Sequence, residues 1–303
     1  MNSTLKKIIK RGIRLAFDKA PQASDFLWGR VRRIILRKEI KAYDGKGKSK
    51  NGGHKSVVFF SHNRCASMML NRRLLDLLEG VDLERIDYQR LVHPLPEKER
   101  EVFQWDREGH LQRGRFKGVG YYYGPFRYYV DIPKLNTFNT VLVLRDPRDV
   151  ITSRYFSEAF AHVALDSKFH EHTKAVREMD VDTFVREFAP DVEAHYRNFM
   201  ENFEMLKGGV VWRYEELIAD FAGFLAHVND AFELGHDKRY IASIASKESF
   251  TVQSEDKFAH KRSVSAGAYL KKLKPETVVY LNELFADVLV FFDWEADVLT
   301  SKQ

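Results

Sequence analysis

The stretch VVFFSHNRCASMMLNRRLLDLLEG, residues 57 to 80, changes hydrophobic period within a few positions, which restricts the chain to folds where a strand feeds straight into a helix. Its first four residues are an apolar run. After Ser61-His62-Asn63-Arg64-Cys65-Ala66-Ser67, the apolar residues Met68, Met69, Leu70, Leu74, Leu75 and Leu78 fall at helical spacing, predicting a strand over 57–61 and a helix over about 66–79. The same order recurs. GVGYYY predicts a strand near 118–123, TVLVLRDPRDVITSRYFSEAF a strand at 140–144 and a helix begun at Pro147, and VVWRYEELIADFAGFLAHVNDAF a strand at 210–213 and a further helix. Residues 161 to 207 and 275 to 291 read as mostly helical, with the polar loop FTVQSEDKFAHKRSVSAGAYLKKL between the last helices. Such alternation predicts an α/β fold, a three-layer sandwich around a mostly parallel central sheet.

Charge divides the chain in two. Residues 1 to 50 hold fifteen Lys or Arg against four acidic residues, an excess of eleven positive charges in a chain whose net charge is only +6. Two segments of this arm, LKKIIKRGIRLAF and FLWGRVRRIILRKEI, place apolar residues along one helical face and basic ones along the other. Three uses fit that pattern: packing on the body, docking on an anionic membrane surface, or binding nucleic acid. Zinc-finger spacing, a basic zipper and an aromatic RNA-binding signature are all missing, which argues against nucleic acid. A linker, YDGKGKSKNGGHKS, leads to the rest, so the expected organisation is a basic helical arm at 1–50 and a main domain at 51–303. The single cysteine, Cys65, can form no intrachain disulfide. No run approaches the roughly 18 apolar residues of a membrane span, nor does the N-terminus carry an apolar signal core. The expected location is cytoplasmic, peripheral on the membrane face if the arm docks there.

In a parallel sheet, ligands gather beyond the carboxyl ends of the strands, where backbone N–H groups at a helix N-terminus can hold an anion. Residues 61 to 68 fall there. Ala66 and Ser67 are small, Ser67 adds a hydroxyl, and Arg64 adds a fixed positive charge. The Walker spacing is absent, which disfavours a nucleotide or sugar kinase. In VLVLRDPRDVITSRYFS, Arg145 ends a strand and Ser153 follows eight residues later on a helix, two turns that can bring the hydroxyl back beside the strand end. Together they could clamp a second anionic group. Alternatively, Arg145 and Arg148 are simply paired with Asp146 and Asp149, an arrangement worth little at a surface.

These residues resemble the sulfotransferases that use 3′-phosphoadenosine 5′-phosphosulfate (PAPS). The family's second motif, RNPRDVxxSxY, is matched by RDPRDVITSRY from Arg145 to Tyr155 with the Arg-to-Ser spacing intact. Its first loop, PKSGTTW, is similar to Asn63-Arg64-Cys65-Ala66-Ser67-Met68-Met69, with Arg64 for the lysine, Ala66 for the glycine, Met68 for a threonine and Met69 for the tryptophan. Ala66 in place of glycine is expected to hold ordinary backbone angles. Tyr214 in YEEL resembles the tyrosine that approaches adenine, and Phe250 an adenine-stacking phenylalanine. RSVSAGAY resembles the family's RKGxxGDW, which implies 3′-phosphate contacts from Arg262 and its neighbour Ser263.

The resemblance implies transfer of a sulfuryl group from PAPS to a hydroxyl acceptor, read here as a glycan or glycolipid, without a metal. The cofactor contacts it implies are Arg64, Cys65, Ala66, Ser67, Met68, Arg145, Ser153, Tyr214, Phe250, Arg262 and Ser263, with Arg64 on the leaving phosphate. A general base near the acceptor would take its proton. GYYYGPF occupies the strand where the family often carries a histidine and has none, leaving His62, Glu84, Asp87, His93 and His110 as alternatives. The aromatic run YYYGPFRYY could stack on an acceptor or serve as core. A catalytically silent nucleotide-binding scaffold stays open as a reading from another class.

Overall fold

The computed structural model describes residue 34 and residues 36–47, 53–88, 116–161, 167–248, 250 and 266–294. Among the described residues the first helix, α1, runs Arg37–Tyr43. It is followed by β1 (Val57–Ser61), α2 (Ser67–Leu77), β2 (Glu84–Ile86), β3 (Tyr121–Phe126), β4 (Asn139–Leu144) and α3 (Pro147–Phe156), which continues as a π-helical turn, Ser157–Ala161. Then come α4 (Ser167–Glu178), α5 (Val181–Glu201), β5 (Val210–Arg213), α6 (Tyr214–Ala219), α7 (Phe221–Ala231), α8 (Lys238–Ala245), α9 (Pro275–Leu284) and α10 (Ala286–Phe291).

The five strands form one parallel sheet in the order β2-β3-β1-β4-β5. Alternate side chains of β1 serve opposite layers. Val58 and Phe60, with Leu142 and Leu144 of β4, join a core completed by Phe184, Val192 and Phe199 of α5 and by Leu281 and Val288 of the last two helices. Val57 and Phe59, with Val141 and Val143, meet Leu70, Leu74 and Leu77 of α2 and Phe224 and Val228 of α7. Because helices cover both faces, all five residues of β1 are buried and its first four read as a continuous apolar run. The expected three-layer α/β sandwich is therefore the observed one.

Strand β3 lies three residues farther along than the tyrosine run predicts. Gly-Pro ordinarily punctuates a strand, but here Gly124 stays within β3 at φ +129°, and a Cβ there would stand 2.6 Å from the Phe59 carbonyl oxygen. Only glycine permits that approach. Tyr121, Tyr122 and Tyr123 are buried, Tyr122 donating its hydroxyl to Asn71 Oδ1 at 2.8 Å, so this part of the aromatic run is core.

Strand β2 has no counterpart in the expected elements. Its edge is covered by α1, with Leu36 and Ala42 buried and Lys38 Nζ 2.5 Å from Glu84 Oε1. The end of the basic arm thus rests on the body. The rest of the two segments expected as arm helices lies outside the described residues. Among the described residues no helix is long and apolar enough to cross a membrane, and no group of three or more His, Cys, Asp or Glu is placed to hold a metal.

Helix α3 is bolted to the C-terminal helices by one buried arginine. Asp146 caps the helix by accepting from the Arg148 backbone N–H at 2.9 Å, and Pro147 occupies its first turn. The Arg148 guanidinium, fully buried, donates to Asp146 Oδ2 at 2.6 Å, to Asn282 Oδ1 at 2.8 Å and to the Trp294 carbonyl at 3.2 Å, over the Tyr269 ring. The charge pairs suggested by the sequence do form. They are interior pairs, not surface ones.

Candidate active site

Ser61 and Val143 are partners at the carboxyl ends of β1 and β4, fastened by a 2.9 Å bond from Ser61 Oγ to the Val143 carbonyl. Beyond this edge the chain turns sharply. Arg64 (φ 69°) and Ala66 (φ 55°, ψ 22°) are both left-handed, so Ala66 does not hold the ordinary angles expected of it. The left-handed conformation costs about 1–2 kcal/mol per residue, and two within three residues mark a loop shaped by something other than local preference. Burial of Cys65 between them and of Ser67 after them holds the turn in place. The Cys65 thiol, pushed up to about 12 by burial, stays protonated and inert.

This turn delivers the chain to α2 with no side chain capping the helix. The Leu70 N–H reaches the Ala66 carbonyl, so the N–H groups of Ser67, Met68 and Met69 precede the first helical bond. They supply the partial positive charge of a helix N-terminus. Met68 is exposed, and Ser67 Oγ accepts from Arg127 Nε at 3.4 Å. Arg64 reaches over to α3, where Nε donates to Ser153 Oγ at 3.1 Å and Nη1 to Ser157 Oγ at 2.9 Å. The two serines are four residues apart and share a helical face.

A second cation ends β4. Arg145 is buried, its guanidinium 4.8 Å from the Tyr214 ring centre and its Nη2 donating to Asp149 Oδ2 at 3.2 Å. Asp149 also accepts from the backbone N–H groups of Gly267 and Tyr269, both at 3.0 Å. One carboxylate therefore ties Arg145 to the start of the C-terminal segment that follows Arg262 and Ser263. Those two residues, with His93 and His110, lie outside the described residues. Tyr196 of α5 donates to the Arg145 carbonyl at 2.6 Å and fixes the strand end from below.

Retinol dehydratase in complex with retinol and PAP (adenosine 3′,5′-bisphosphate) is 14% identical, with a TM-score of 0.51 over 85% of this chain and 86% of that one. Mouse sulfotransferase SULT7A1 complexed with PAP is 12% identical, with a TM-score of 0.52 over 84% of this chain and 90% of that one. The chain has the sulfotransferase fold. No protein-family model matches the sequence and no curated protein is similar to it in sequence.

Within this sulfotransferase fold the site residues named from sequence fall into three groups. Arg64, Ala66, Ser67, Met68 and Ser153 come together at the loop, whereas Arg145 and Tyr214 meet at the end of β4. Phe250 packs edge-on against Phe221 at 5.3 Å. Ser153 bonds to Arg64, a partner the spacing of Arg145 and Ser153 did not suggest.

Of the base candidates, Glu84 stands at the opposite end of the sheet from the loop. It pairs with Tyr121 at the start of the parallel strands, about 16 Å along β1 from the loop at ~3.3 Å per residue, and is engaged by Lys38. Asp87 lies at the proper end of β2, buried near Arg127. His62 is buried, and its pKa is lowered to about 3 by burial, with His195 adding to the effect. Sequence reasoning missed Ser157, Arg127 and His195, which reach the loop only through tertiary contacts.

Proposed function

We propose that the protein is a PAPS-dependent sulfotransferase acting on a hydroxyl acceptor. The observation that carries the reading is the pair of cationic sites at the carboxyl ends of two neighbouring parallel strands. One is the uncapped N-terminus of α2 with Arg64, and the other is Arg145 between Tyr214 and Asp149. A bisphosphorylated nucleotide has two anionic ends to match them. In-line attack at sulfur spreads charge onto the leaving 5′-phosphate, and fixed donors aimed there lower the barrier. The PAP bound by the two solved relatives supports the same donor.

The experiment is differential. Arg145→Ala is expected to weaken PAP by about 1.5–3 kcal/mol, the range for a lost charged hydrogen bond, while adenosine 5′-phosphate loses little. Equal losses for both nucleotides would remove Arg145 from the 3′-phosphate.

We read the acceptor as a carbohydrate or a lipid-linked molecule reached from the cytoplasmic face of an anionic membrane. Support comes from the excess of eleven positive charges in residues 1 to 50. Each Lys or Arg near such a surface contributes about 1 kcal/mol, decaying over ~8–10 Å in ordinary salt. The full chain should co-sediment with phosphatidylserine vesicles at low salt and release as salt rises. Equal sedimentation with neutral vesicles would contradict this.

A further inference from the structure

Sulfuryl transfer to a hydroxyl leaves a proton to be placed, and GYYYGPF offers no histidine to take it. A histidine pair from elements 133 residues apart stands beside the loop. His62 follows β1 and opens the loop. Its Nδ1 is 3.1 Å from the Asn63 carbonyl oxygen, and its Nε2 is 3.2 Å from Nδ1 of His195 on α5.

The two contacts determine where the protons sit. A carbonyl only accepts, so His62 Nδ1 carries a hydrogen and neutral His62 presents a bare Nε2. His195 Nδ1 must then donate to it. That leaves His195 Nε2 without a proton and with its lone pair available. His62 is 3% exposed, enclosed by the Tyr196 ring at 5.3 Å, whereas His195 is exposed on its helix.

We propose that His195 is the general base of this site and that His62 is the positioning residue that holds it in the productive tautomer. The assignment rests on the sulfotransferase reading above. His195 Nε2 takes the hydroxyl proton as the acceptor oxygen bonds to sulfur. The bond from sulfur to the 5′-phosphate oxygen breaks, and that oxygen leaves with the electron pair as part of adenosine 3′,5′-bisphosphate. The imidazolium keeps its Nδ1–H on His62 and returns the extra proton to water from its exposed side.

The surroundings keep the pair neutral at rest. Arg154 of α3 faces both rings and Arg127 faces His62, each opposing protonation, while Asp191 on α5 favours it at His195; the Tyr128 ring lies 6.4 Å from His195. Packing of the inner side of His195 outweighs Asp191, so its pKa lies below the usual histidine value of ~6.5. A base must be unprotonated to act, so transfer to an alcohol should be level above that pKa and fall as pH drops through it.

The test uses the full chain, labelled PAPS and two probe acceptors. p-Nitrophenol ionises without help, whereas p-nitrobenzyl alcohol needs a base. His195→Ala should lower kcat for the alcohol about 10²- to 10⁴-fold, lower that for the phenol only a few-fold, and leave PAP affinity within twofold. His62→Ala should lose part of the alcohol rate and shift its pH profile. Unchanged alcohol turnover with PAP bound, or equal losses for both acceptors, overturns the assignment. Wild-type protein that does not bind PAP would overturn the sulfotransferase reading instead. Where neither probe turns over, long-range proton–nitrogen NMR of the histidines decides: both rings protonated on Nδ1 is the expected result, and a proton on His195 Nε2 sinks the proposal.

Discussion

Arg64→Ala is expected to lower turnover about 10²-fold or more with saturating donor, the scale on which loss of one preorganised oxyanion donor acts. The Arg64 guanidinium is not a tether searching solution. Ser153 and Ser157 hold it from two sides at 3.1 and 2.9 Å, so little side-chain entropy remains to be lost when charge develops on the leaving phosphate. The backbone adds no complication: alanine meets the same left-handed cost at φ 69° that arginine does, so the fold should persist and the change should appear in kcat. Arg64→Lys keeps the charge but loses the fork that spans both serines, and should fall between the two. Unchanged turnover in Arg64→Ala would leave that residue without a catalytic role.

Asp146→Ala is the substitution expected to cost the most stability, about 3–5 kcal/mol, because it strands the fully buried Arg148 charge. Loss of the α3 cap adds to the effect. Denaturant unfolding checks this directly. Replacing both partners in Asp146→Ala/Arg148→Met should recover part of the loss, since an apolar side chain over the Tyr269 ring carries no charge to desolvate. A single-variant loss below 1 kcal/mol would mean that the pair behaves like an exposed one.

Much of this architecture was legible in the sequence because strands buried on both faces write themselves as apolar runs. β1, β4 and β5, and the helices begun at Ser67 and Pro147, lie at or within a residue of where period and capping residues put them. β3 was displaced because Gly124-Pro125 reads as a stop, while the sheet needs glycine there to pass the Phe59 carbonyl. β2 is three residues long, too short to show any period. In the site, Arg64 and Arg145 were readable from a strand-to-turn context that a single stretch contains. Their partners distant in sequence were not. Ser157 meets Arg64 across 93 positions and His195 meets His62 across 133, and no local pattern encodes such meetings. Burial was also invisible: RDPRD looks like a solvated charge run, but four of its side chains lie inside the protein, paired as Arg145–Asp149 and Arg148–Asp146.

The two cationic strand ends are expected to accept one nucleotide carrying phosphate at both its 3′ and 5′ positions. Isothermal titration of the full chain with PAP, ADP and ATP tests it most directly. ADP and ATP stack their phosphates on the 5′ side and bring none to Arg145, so each should bind at least tenfold more weakly than PAP, about 1.4 kcal/mol or more. Preference for ATP, or no binding of PAP at all, would contradict the account.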